Sequence, residues 1–311
     1  MKKRRNNIRM IYVNAALKIT PLLLIISGGA HFVISTFSGH FEEEKQHQDL
    51  IDAVVFEQDD QEIVEEIIEP QEECEKEEVI IEENIIVEEK LSSTLLDSGY
   101  DFQYIDFTTL KEINNDTCAW IYIDGTNINL PIVHGEDNDY YLHHDIEGNE
   151  SKYGTLFIDS RNNSLDEQEE NISDFTIIYG HHMANGKMLA PICNYKSQSY
   201  YDNHKFGVVY TPDGYAYEAE FFAGTIIDGA DDSKLFADIT DEERYMEYIN
   251  NIRAKSTFNS DVEVTYGDKI LALVTCSYET NNSRYVLYAV LNKQYTNDYQ
   301  KVSQASLIYR Y

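Results

Sequence analysis

Basic residues are scarce in this chain of 311 residues: 24 Lys and Arg stand against 56 Asp and Glu, for a formal net charge of -32. That deficit excludes a general binder of nucleic-acid backbones, which needs clustered cations to replace phosphate counterions. Cysteine is equally sparse. Four in such a length cannot make a disulfide framework, so the fold must rest on a buried core. Tryptophan occurs once, at Trp120. What is plentiful is tyrosine, 24 residues, within a chain that is 42% hydrophobic. That hydrophobic share excludes a wholly disordered polypeptide, and the length allows one or two domains.

Charge is laid out in blocks. Residues 1–41 hold six bases (Lys2, Lys3, Arg4, Arg5, Arg9, Lys18) and no acid. The basic cluster precedes an apolar run from about Ile11 to Phe37, centred on Pro21-Leu-Leu-Leu-Ile-Ile26. A span of roughly 20 apolar residues crosses a bilayer, with Lys18 snorkelling to the interface. Positive residues stay inside, so the expectation is a single-pass anchor with a cytoplasmic N-terminus and an extracytoplasmic remainder. The rival is a cleaved signal peptide, with Gly28-Gly29-Ala30 as a weak processing site. Residues 42–90 then hold 21 acids against Lys45, Lys76 and Lys90, alternating Glu clusters with Ile/Val pairs, as in Glu62-Ile-Val-Glu-Glu-Ile-Ile-Glu69. Like charges repel, so this block reads as a solvated acidic stalk, and Pro70 breaks any single long helix through it.

A globular domain is expected over 91–311. Phe107-Thr-Thr-Leu-Lys-Glu-Ile113 has helical spacing. Short alternating runs bounded by turn residues follow: 119–123, 128–133, 154–158, 175–179, 207–210, 217–222, 269–274 and 285–291. Eight such strands imply a mainly β protein closed into a barrel or folded as a sandwich. One further helix interrupts them, with Thr240-Asp-Glu-Glu243 as a capping box and Tyr245, Tyr248, Ile249 and Ile252 as its apolar stripe.

Chemistry concentrates in two places. In Leu271-Ala-Leu-Val-Thr-Cys276-Ser-Tyr-Glu-Thr-Asn-Asn-Ser-Arg284 an apolar strand ends in a thiol, and the next strand begins at a guanidinium. If the two strands form a hairpin, Cys276 and Arg284 face each other across the sheet. An arginine there can hydrogen-bond a substrate carbonyl or a developing oxyanion, and can stabilise a reactive sulfur anion. The second place is Phe175-Thr-Ile-Ile-Tyr-Gly180-His181-His182, a histidine directly after a strand and a glycine. A cysteine nucleophile needs a proton acceptor, and its leaving amine needs a donor; imidazole serves both. His pairs also stand at 143/144, but neither pair has a recognisable metal-ligand spacing, so no metal and no cofactor is expected.

These residues resemble the sortases. Tyr179-Gly-His181, Thr275-Cys276 and Arg284 stand in the order and setting of the sortase catalytic His, Cys and Arg. Trp120-Ile-Tyr-Ile-Asp-Gly-Thr-Asn-Ile-Asn-Leu-Pro-Ile-Val133, Asp137-Asn138-Asp-Tyr-Tyr-Leu142-His-His and Gly154-Thr-Leu-Phe-Ile-Asp-Ser-Arg161 resemble class B members, over about Phe107 to Leu291. The resemblance implies a closed eight-stranded barrel with a helix before the first strand and another between strands six and seven. It also implies a membrane-anchored cysteine transpeptidase of Gram-positive-type bacteria that cuts a sorting signal after Thr through a thioester and joins the protein to a cell-wall amine. Cys276 would be the nucleophile, His181 the general acid/base and Arg284 the oxyanion partner, with Asn138, Leu142, Tyr179, Thr275 and Glu279 lining the groove. His182 would point the other way in an extended strand end. The implied partners are surface proteins with a C-terminal Pro-x-Thr type signal, of the Asn/Ser-Pro-x-Thr form, and a peptidoglycan precursor or cross-bridge amine. The pattern departs from the family at Val274, where a small polar residue is common, and in its long acidic stalk. Alternatives are a pilin-polymerising sortase with a Lys acceptor, a cysteine endopeptidase, and a non-catalytic tethered module that only binds peptide or glycan. The L,D-transpeptidases rank low because no Ser-His-Gly-Cys run is present.

Overall fold

A computed structural model describes residues 45–56, 103–166, 172–229, 235, 239–277 and 282–295. The expected anchor (about Ile11 to Phe37), most of the acidic block and Glu279 lie outside these residues. Among the described residues no helix is long and apolar enough to cross a membrane. The chain divides into two units, Met1–Ala53 and Val54–Tyr311. In the first, the described residues are helical, and Gln48 Nε2 donates to Asp52 Oδ1 at 2.7 Å one turn on.

The second unit opens with a short antiparallel pair, β1 (Val55–Phe56) and β2 (Tyr104–Ile105). Helix α1 (Phe107–Ile113) follows, capped by Asp106, whose carboxylate accepts the Thr109 N–H at 3.1 Å. Eight strands then close a barrel: β3 (Thr117–Ile123), β4 (Ile128–Val133), β5 (Leu156–Ile158), β6 (Phe175–Tyr179), β7 (Phe206–Tyr210), β8 (Tyr215–Asp228), β9 (Ile270–Cys276) and β10 (Ser283–Tyr295). Their order around the wall is β10-β8-β7-β3-β4-β5-β6-β9. Closure removes the exposed edges that an open sheet would present.

Six of the wall's pairings are antiparallel; β4–β5 and β6–β9 are parallel. The β7–β8 turn runs through Gly214 at φ 88°, a left-handed conformation in which glycine carries no Cβ penalty. Strand β8 is far longer than its sequence pattern suggests: it continues past Gly224 to Asp228, because β10 pairs with it all the way to Ser283.

Period-two alternation sorts side chains between two cores. Leu271 and Leu273 of β9 face the barrel interior with Ile121, Phe221 and Leu287. Ile270, Ala272 and Val274 face outward, where helix α3 (Glu242–Ala254) covers them with Tyr245, Ile249 and Ile252. A strand buried on both faces needs an unbroken apolar run, which is what Ile270 to Val274 provides. The α3 cap falls one residue later than the sequence suggests: Asp241, not Thr240, accepts the Arg244 N–H at 2.9 Å. A six-residue helix α2 (Gln198–Asn203) and a 3-10 segment Ala190–Lys196 between β6 and β7 have no counterpart in the sequence pattern.

Candidate active site

Cys276 is the last residue of β9, and its neighbours on both sides follow from register. On one side β9 runs parallel to β6, with Tyr179 level with Val274. Two residues beyond that pair come His181, just past the end of β6, and Cys276, the last residue of β9, so the two strands lead imidazole and thiol to the same rim. On the other side Cys276 lies opposite Arg284 of β10. The bond from Ser277 N–H to the Ser283 carbonyl, at 2.8 Å, makes Cys276–Arg284 a non-hydrogen-bonded pair. In such pairs the Cα atoms stand about 4.5 Å apart and the side chains are closest. By alternation, Cys276 and Arg284 continue the row of Val274 and Val286 on the outward face. The α3 cover ends before that row does, leaving Cys276 exposed while Val274 is buried.

The three described cysteines differ sharply. Cys118 is buried in the barrel, and that burial pushes its thiol up to about 12 despite a hydrogen bond from Ser164. Cys193 is half-buried against the interior core. Cys276 alone of the three is exposed.

Backbone and buried groups aim the other members. His181 Nε2 lies 2.7 Å from the carbonyl oxygen of Leu142. A carbonyl only accepts, so Nε2 carries the hydrogen and the neutral ring keeps its lone pair on Nδ1. Gly180 has no positive φ; it is small because the neighbours demand it, a Cβ there lying 2.8 Å from Leu189 Cγ and colliding with Leu156 Cδ2. Gly229 plays the same part for Arg284: a Cβ there would collide with the guanidinium Nε and stand 3.1 Å from Cδ.

The expected groove residues divide. Asn138 is exposed, and its Oδ1 accepts the Ser160 N–H at 2.7 Å, tying its loop to the end of β5. Leu142 supplies the carbonyl that holds His181, and its half-buried side chain packs with Tyr179 on the Val133, Tyr141 and Phe157 cluster. Tyr179 donates its hydroxyl to Asp159 at 2.9 Å. Thr275 is buried, with its hydroxyl donating to the Gly180 carbonyl at 2.8 Å; what it can offer a groove is its backbone. Glu279 lies outside the described residues.

Two groups carry no role in the sequence pattern. Burial alone would raise the Asp159 carboxyl, but the Arg161 guanidinium and backbone N–H and the Tyr179 hydroxyl outweigh it and hold it at about 2. Arg161 binds it through two nitrogens, at 2.9 and 2.8 Å. His182 places Nδ1 2.9 Å from the carbonyl oxygen of Cys276, with Cys193 Sγ 3.5 Å from the same nitrogen. Among the described residues no group of three or more His, Cys, Asp or Glu side chains could hold a metal ion.

No family model matches the chain. Sortase B of Staphylococcus aureus is 32% identical over 190 residues, which cover 60% of this chain and 75% of that protein. The chain belongs to the sortase family. Solved sortases share its barrel. The Staphylococcus aureus sortase B–substrate complex is 32% identical, with a TM-score of 0.55, covering 60% of this chain and 84% of that one. A crystal structure of sortase B complexed with triglycine matches at 32% identity and the same TM-score, covering 60% of this chain and 85% of the other. This sortase is thus a cysteine transpeptidase built on a closed eight-stranded barrel.

Proposed function

We propose that this sortase is a class B enzyme, anchored in the cytoplasmic membrane by residues 11–37 with its catalytic domain outside, that transfers sorting-signal proteins to a cell-wall amine. Cys276 is the nucleophile, His181 the general acid/base and Arg284 the oxyanion partner. The observation that carries this reading is the register: one exposed thiol at the end of β9, with Arg284 opposite it on β10 and the end of β6, which leads into His181, on its other side. Membrane attachment is supported by the basic cluster and apolar run of the N-terminus.

His181 Nδ1 takes the proton of the Cys276 thiol as the sulfur attacks the carbonyl carbon of the scissile Thr, and the oxygen that gains charge is met by the Arg284 guanidinium. Collapse of the tetrahedral species breaks the C–N bond, and His181 gives a proton to the departing amine. With Nε2–H committed to Leu142, the proton passes through Nδ1. The thioester then meets a second amine, which surrenders a proton to the same nitrogen as the new amide forms. Splitting the exchange this way replaces one hard step by two easier ones. Asn138, Leu142, Tyr179 and Glu279, with the backbone of Thr275, would border the Pro-x-Thr segment. The triglycine complex of a similar sortase B makes an oligoglycine the first acceptor to try.

The test incubates the full-length protein in detergent micelles with a library of Pro-x-Thr peptides and triglycine, read by mass spectrometry. The expected product carries triglycine on the Thr carbonyl, and Cys276→Ala abolishes it while Cys118→Ala does not. Ligation only to a lysine side chain would mark a pilin polymerase. Free Thr carboxylate despite excess amine would mark an endopeptidase, and peptide binding without turnover a tethered module.

A further inference from the structure

The parallel ladder between β6 and β9 has a rung missing at the nucleophile, and a side chain fills it. Rungs on one strand recur every second residue. Gly180 N–H meets the Val274 carbonyl at 3.1 Å. The next rung would run from His182 N–H to the Cys276 carbonyl. Strand β6 has ended by then, and the His182 backbone has turned away to bridge Met188. The ring reaches back instead, with Nδ1 2.9 Å from the Cys276 oxygen. We infer that His182 is a positioning residue for the nucleophile, its imidazole standing in for the absent rung and fixing the Cys276–Ser277 peptide next to the Cα that bears the thiol.

The His182 ring turns to the Cys276 carbonyl and to Cys193, whose side chain packs on the barrel core. It therefore acts on the sulfur only through the main chain. A carbonyl oxygen can only accept, so Nδ1 holds the hydrogen. The Cys193 thiol, 3.9 Å from the same oxygen, can add only a weak second hydrogen bond there. On the β10 side, Ser277 N–H binds the Ser283 carbonyl at 2.8 Å. The residue before the nucleophile is fastened by the Thr275 hydroxyl on the Gly180 carbonyl. His182 is the tie on the remaining side. Without it the last peptide of β9 can rotate, and a displacement of about 1 Å at a reacting atom costs on the order of 100-fold in rate.

This inference rests on Cys276 as nucleophile, which Cys276→Ala checks separately in the same assay. Full-length His182→Ala, His182→Asn and His182→Gln are compared in micelles with saturating triglycine and varied peptide. An asparagine amide nitrogen occupies the place of Nδ1, whereas that of glutamine occupies the place of Nε2. The expected result is a kcat lower by roughly 10- to 100-fold in His182→Ala with KM within about twofold, since only geometry at the sulfur is lost. His182→Asn should recover to within about threefold of wild type while His182→Gln stays at least about tenfold below it. If His182→Ala does not fold, the Asn and Gln pair alone carries the comparison. A kcat within twofold in the Ala variant, an Asn variant no faster than Gln, or a change confined to KM would each overturn the inference.

Discussion

The Asp159 carboxylate has no solvent-exposed side-chain surface, yet it is an anion, because Arg161 grips it through two nitrogens and Tyr179 adds a hydroxyl. Its pKa of about 2 lies below the unfolded value of 3.8, so folding is favoured while the group is ionised. The contribution is roughly 2 kcal/mol, fully present above about pH 4 and lost as pH falls through 2. Asp159→Asn should therefore unfold at lower urea concentration at pH 7, with the gap from wild type narrowing toward pH 2. An equal gap at both pH values would show that packing, not charge, is at stake. At this scale the sequence reveals chemistry but not its fastenings. Cys276, His181 and Arg284 stand out because thiol, imidazole and guanidinium at strand ends are rare and reactive. The Leu142 carbonyl that holds His181 is a main-chain atom, and a main-chain atom leaves no mark in the residue alphabet. His182 was legible only as a residue facing away from His181; what it reaches depends on where β6 stops.

Strands and helices register in the sequence to the degree that their faces differ. Strands β3, β4, β6 and β9, and helix α1, stand where alternation and helical spacing place them. The missed extension of β8 has a physical reason: Gly224 interrupts its pattern, and the room it leaves is taken by the Tyr285 side chain of β10. Helix α2 is too short to repeat a face, and β1 and β2 are two residues each, below any periodicity. The amphipathic α3 was legible because its stripe covers the outer row of β9, the row that ends at the nucleophile. Ile249, buried at the centre of that stripe, touches both tasks. Ile249→Ala should destabilise the domain by about 2–5 kcal/mol through lost burial and a residual cavity, measured by urea unfolding. A loss under about 1 kcal/mol would mean that α3 is only loosely docked on the barrel.

The folded unit as a whole begins earlier than its composition suggests. Val54 accepts the Asp106 N–H at 2.8 Å, and β1 completes β2, so a boundary at residue 91 would strip a folded edge from the domain. A fragment 54–311 should be more stable than 91–311 by about 1–3 kcal/mol, the worth of a few net hydrogen bonds, as read by denaturant midpoints. Identical midpoints would make the β1–β2 pair dispensable. That small ladder has a consequence for reach. Phe56 and Tyr104 are direct partners, so the intervening polypeptide leaves and re-enters the domain within one inter-strand gap, roughly 5 Å. A segment that returns to its own starting point is a side branch, not a rung in series. If residues 11–37 are the anchor proposed above, the glutamates between Phe56 and Tyr104 add no length to the path that joins it to the catalytic domain, and only the residues before Val55 do.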